Sequence, residues 1–184
     1  MRTAVAIRAL RFAFAGGLLL LAVLASDPAA AQPASGAQQA RAGDRYFIEF
    51  RSRPSTYIGH TYIVYGRTDA TGRILDMRYA GLIPDVDDAM EGLFRVVPGS
   101  VQKYVDDVKE KPNAVYGRRL TAAEYAAVER AVRIMKKTQR EWHLIFQNCN
   151  DFGIGIAEAL GLRRPHSLMP PNVWVSTLRM LNER

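Results

Sequence analysis

Gly153, Ala157 and Gly161 recur at intervals of four within an apolar stretch that opens at Asn148-Cys149-Asn150-Asp151-Phe152. Small residues at that spacing predict a helix with a smooth face, pressed close against another element. Each internal glycine costs about 1 kcal/mol of helix propensity, so tight central packing has to offset it. Asn148 suits the N-cap and Asp151 stands three residues later as a weaker capping-box partner, which puts Cys149 in the first helical position. Residues 142–146 ahead of it have strand-like composition. The only cysteine of the chain is thus expected where a strand gives way to a helix.

The elements around this junction alternate in type. Residues 46–50 and 60–65 are rich in aromatic and β-branched side chains, and Gly66 closes the second run. Residues 68–72 carry turn formers before a further run over 73–80, which predicts a hairpin turning near Ala70. That hairpin would set His60 opposite residues 79–81. A short apolar run over 94–97 stops at Pro98-Gly99, a charged helix is expected over 100–111 before Pro112, and 114–118 reads as a strand. Thr121 and Glu124 form a capping box for a helix over 122–137, with Tyr125, Val128, Val132 and Met135 as its buried stripe. Pro170-Pro171 open a last helix whose Val173, Trp174, Leu178 and Leu181 close the core. The irregular segment 82–92 borders the cleft or is a solvated connection.

Residues 1–31 read as a signal peptide. Arg2, Arg8 and Arg11 precede an apolar run over 12–25, and Ala29-Ala30-Ala31 offers a cleavage site. The run is shorter than the roughly 20 residues of a spanning helix. A periplasmic or secreted location follows, with removal near Ala31. Residues 32–44 lack large apolar side chains and read as a disordered tether, leaving 45–184 as one domain with a single core. The formal charge of +7 is spread among acidic residues, as in Lys103, Asp106, Asp107, Lys109, Glu110 and Lys111. Such a run reads as a solvated helix face, which argues against a nucleic-acid partner. A weak attraction to anionic envelope surfaces stays open.

A lone thiol in an exported chain has no internal disulfide partner. At the first position of a helix, backbone N–H groups and the helix dipole favour its thiolate. A base for that thiol has to come from His60, His143 or His166, if any histidine acts. His60 follows Gly59 at the mouth of a strand, His143 lies in the strand before the cysteine, and His166 sits in a loop; the sheet-edge position ranks His60 first. One cysteine and three scattered histidines show no zinc-ligand spacing, and Gly153 and Gly155 lie inside the helix rather than in a phosphate loop, so neither metal nor cofactor is expected.

The stretches Gly59-His60-Thr61-Tyr62-Ile63-Val64-Tyr65-Gly66 and Asn148-Cys149-Asn150-Asp151-Phe152, in that order, resemble the circularly permuted papain-like superfamily. That group includes the NlpC-related permuted amidases, the PPPDE deubiquitinase-like proteins and the lecithin retinol acyltransferase-like proteins. The resemblance implies an α+β fold with an antiparallel sheet packed against a central helix that begins at the cysteine. It implies Cys149 as nucleophile and His60 as its base. The third polar residue that many members place on the following strand has no obvious counterpart in residues 77–81, which leaves a Cys-His dyad, with Tyr79 as a candidate orienting group and Asn148 or Gln147 as candidate oxyanion donors.

The expected activity is a thiol hydrolase that cleaves an amide, peptide or ester bond through an acyl-enzyme, with cell-wall peptides ahead of lipids as substrates. Transfer of the acyl group to an amine or alcohol would make the same residues an acyltransferase. The rival reading is a non-catalytic envelope binding domain in which Cys149 is a small core residue and His60 a structural one.

Overall fold

A computed structural model describes residues 43–55 and 58–183. The chain divides into Met1–Gln38 and Gln39–Arg184, and the described residues belong to the second unit. The expected signal peptide, and the tether up to residue 42, lie outside them. Among the described residues no helix is long and apolar enough to cross a membrane.

The elements run β1 (Arg45–Arg53), β2 (His60–Thr68), β3 (Ile74–Pro84), α1 (Glu91–Phe94), β4 (Val97–Gln102), α2 (Val105–Lys109), β5 (Ala114–Leu120), α3 (Ala122–Thr138), β6 (Glu141–Trp142), α4 (Cys149–Ala159) and α5 (Pro171–Asn182). The strands form one sheet, β5-β1-β2-β3-β4-β6, with every pairing antiparallel. The class is α+β. Alternation in β1 sends Ile48 and Phe50 to the face shared by their β2 partners Tyr65 and Ile63. The helices α3, α4 and α5 cover that face, and α4 lies across β2 and β3. Trp174 of α5 is fully buried with its ring 6.2 Å from that of Phe50. Gly153 explains how α4 lies so close: a Cβ there would stand 2.8 Å from the Trp174 ring. Gly161 does different work from the packing expected of it, ending the helix at φ 65° with open space around its α-carbon.

The two capping boxes form as expected, at Thr121/Glu124 and at Asn148/Asp151, and Tyr125, Val128 and Val132 are buried. Elsewhere the boundaries move. The apolar run over 94–97 does not stop at Pro98-Gly99: Phe94 ends the one-turn α1 with its ring in solvent, and β4 starts at Val97 and runs through both residues. The expected charged helix shrinks to Val105–Lys109, since residues 100–102 pair with β3. β6 stops at Trp142, after which His143 and Gln147 bridge a turn. In α5 the face falls on Trp174, Val175 and Leu178, with Val173 exposed.

The hairpin forms, but in a different register. A bulge at Arg67/Thr68 and the loop over 69–73 set Val64 opposite Tyr79 and Ile63 opposite Ala80. Beyond Ala80, β3 takes its partner on the other side, pairing Gly81–Pro84 with β4. The ladder between β2 and β3 ends at Ile63. Past that end, Thr61 reaches Cys149 at the start of α4.

Candidate active site

Asn148 supplies the first turn of α4: its Oδ1 accepts from the N–H of Asn150 at 2.8 Å, while its own N–H donates to Asp151 Oδ2 at 2.8 Å. Its Nδ2 donates to the carbonyl of Leu144, so the side chain is fully engaged in holding the turn. Cys149 follows as the first helical residue, 8% exposed. Burial raises its pKa above the ordinary thiol value. The N–H groups of Thr61, Cys149 and Asn150 and the Thr61 hydroxyl all act in the opposite direction. The donors expected from a helix start are thus present, but desolvation outweighs them and the resting group is a thiol.

Asn150 ties this turn to the sheet. Its Oδ1 accepts from the Thr61 hydroxyl at 2.6 Å, and its Nδ2 donates to the carbonyls of Ser167 and Met169 at 2.8 and 2.7 Å. The residue is buried with both N–H donors and its carbonyl oxygen hydrogen-bonded. It fixes Thr61, whose N–H lies where the β2–β3 ladder has ended and reaches the cysteine instead.

His60 enters from the neighbouring position on β2. Gly59, at φ 77° and with the Arg53 carbonyl where a Cβ would stand, turns the chain into the strand. The imidazole is 7% exposed and near-parallel to Tyr62, with ring centres 6.0 Å apart. Its Nε2 packs over Gly81, where a Cβ would come within 2.6 Å. The same nitrogen stands 3.6 Å from Oδ2 of Asp107, whose Oδ1 accepts from Arg53 Nε at 2.8 Å. Asp107 is 1% exposed. Burial, helped by the Arg53 charge, lowers the His60 pKa to about 3, and burial raises that of Asp107 to about 6 against the pull of Arg53. The resting contact is therefore not an ion pair. At neutral pH it is a neutral imidazole facing a carboxylate that Arg53 balances.

Successive residues of a strand point to opposite faces. The neighbours of the two groups accordingly differ: Cys149 has the Thr61 N–H and hydroxyl, whereas His60 Nε2 and Asp107 Oδ2 face each other at 3.6 Å without a hydrogen bond. Both residues nevertheless line one cleft of about 840 Å³. Segment 82–92 borders that cleft through Ile83, Val86, Asp87 and Asp88 among others. Tyr79 is not brought to the imidazole: its register partner is Val64, and its hydroxyl contacts Met77 Sδ at 3.9 Å. Gln147 turns away, donating to the Glu141 carbonyl. His143 Nδ1 accepts from the N–H of Ile145, and His166 Nδ1 from that of Leu168.

Arg53, Asp107 and Asn150 are the site residues that sequence reasoning missed. Asp107 sat within a run of mixed charge that reads as a solvated face, and its partner is 54 residues away. Asn150 carried one available signal, a second amide directly after the cysteine. Among the described residues no group of His, Cys, Asp and Glu could hold a metal ion. Comparison of the chain with family profiles, curated proteins and solved structures finds no match.

Proposed function

We propose that this chain is an exported thiol hydrolase of the permuted papain-like kind, which cleaves an amide, peptide or ester bond through an acyl-enzyme on Cys149. One observation carries the reading. A buried thiol at the first position of α4 shares a cleft with an imidazole whose Nε2 faces a buried carboxylate. The order of a histidine at the start of a strand followed by a cysteine at the start of a sheet-packed helix supports the papain-like assignment.

Above pH 6 Asp107 is ionised and His60 neutral. The carboxylate favours the tautomer with the proton on Nε2, leaving Nδ1 as the acceptor for the thiol proton. As Sγ attacks the carbonyl carbon, that proton passes to His60, so the ion pair forms during attack rather than before it. The backbone N–H of Cys149 at the start of α4 is the donor offered to the oxyanion, since those of Asn150 and Asp151 are taken by Asn148. His60 returns the proton to the departing amine or alcohol, and water then hydrolyses the thioester. An amine or alcohol in place of water would give an acyltransferase with the same residues.

The test is the rate of Cys149 alkylation by iodoacetamide from pH 4 to 9 on the full chain, with His60→Ala alongside. A native-state reaction that falls in the variant, together with a trapped acyl adduct on Cys149, supports catalysis. The binding-domain reading is favoured by the raised thiol pKa. It predicts modification only on unfolding.

A further inference from the structure

The cleft is charged opposite to the chain. Among its described lining residues the one lysine or arginine is Arg53, and Asp107 balances it. Three other carboxylates line the cleft: Asp87 and Asp88 from the segment after β3, and Asp106 from α2, beside the residue that faces His60. Among the described residues no ion pair engages any of the three. Asp88 accepts only the N–H of Met90 and Asp87 is exposed. A chain of formal charge +7 thus lines the cleft that holds its thiol with three carboxylates against one guanidinium. Between these carboxylates the walls are apolar, with Ile58, Val86, Leu144, Ile145, Leu168 and Met169.

We infer that the cleft selects acyl substrates that carry a cationic amine or guanidine group beside an apolar segment, with Asp87, Asp88 and Asp106 as the residues that set this preference. The inference rests on the hydrolase reading. Low-dielectric walls lined by one sign of charge concentrate ions of the other sign. An aliphatic chain gains by burial here, and a phosphate or carboxylate headgroup is repelled. The substrate class is therefore a peptide-like amide with a basic side chain or free amine, and not an anionic lipid.

Three maleimides with one warhead test this on the full chain, whose single thiol reports the cleft: neutral N-ethylmaleimide, cationic N-(2-aminoethyl)maleimide and anionic 3-maleimidopropionate, each scaled to its rate with N-acetylcysteine. The cation should exceed the anion by about tenfold or more at low salt. The ratio should approach one in the triple variant D87N/D88N/D106N and at high salt. Equal scaled rates, or a ratio the triple variant leaves unchanged, overturn the inference and spare the hydrolase reading. If no reagent modifies the folded protein, the hydrolase reading fails instead. Tryptophan fluorescence in the Trp174→Phe variant, which leaves Trp142 in the cleft as the one emitter, then decides the charge preference of the cleft. A saturable change with hexylammonium and none with hexanoate sustains the charge preference, and equal responses refute it.

Discussion

Two of the helices that line the cleft, α4 and α2, are built in opposite ways. α4 has eleven residues, a capping box at its start, and Phe152, Gly153, Ile156 and Ala157 buried along one face. α2 has five residues and no side-chain cap, with Asp107 as its one buried residue and Val105 and Val108 exposed. A helix that short has no stability of its own. It is held by the Arg53 guanidinium, which donates to Asp107 at 2.8 Å and stacks 5.2 Å from the Tyr104 ring centre. The thiol thus stands on an element that local sequence specifies, whereas the carboxylate behind His60 depends on a buried contact with a distant strand.

If that contrast is correct, Arg53→Met should do the most damage. It leaves the Asp107 carboxylate buried and uncompensated, with an expected loss of about 3 to 5 kcal/mol in denaturant unfolding. Gly153→Ala, which drives a Cβ against the Trp174 ring, should cost about 1 to 3 kcal/mol by the same measurement. Asn148→Ala removes the α4 cap and should cost about 1 kcal/mol, because the packed face of the helix stays. A cap loss as large as the Arg53 loss would erase the distinction between the two helices.

pH sharpens the comparison further. His60 has its pKa lowered from 6.5 to about 3, so the unfolded chain binds the proton first and stability falls as pH drops through that window. Asp107 has its pKa raised from 3.8 to about 6, so the folded chain binds the proton first and stability rises as pH drops from 6 toward 4. Between about pH 4 and 6 the two slopes oppose each other. Melting of the wild type should therefore change little with pH there through this pair. Asp107→Asn should expose the His60 slope, melting lower at pH 4 than at pH 6.5, and His60→Gln should show the reverse. In the hydrolase reading, turnover should have an acidic limb near pH 6 that vanishes in Asp107→Asn.

What was readable in the sequence is what neighbours specify. The caps at Thr121 and Asn148, the stripe of α3, the strands at 46–50 and 60–65 and the position of Cys149 all follow from residues within one or two turns of one another. The register of the hairpin did not, because a bulge at Arg67/Thr68 depends on how β1 and β3 both fit β2. Nor did the brevity of α2, since pairing of residues 100–102 with β3 removes the start of the expected helix.

The sequence by itself determined that a thiol begins a capped, closely packed helix and that a histidine opens a strand after a glycine. These depend on hydrogen bonds between near neighbours and on periodic apolar burial. Tertiary structure decided the rest: that Tyr79 lies away from the imidazole, that Asp107 faces it, and that Asn150 fixes Thr61 beside the sulfur. It also decided the protonation states, because burial of His60 and Cys149 overrides the donors and dipole that local sequence supplies. Desolvation depends on everything packed around a group, and no window of neighbouring residues contains that information.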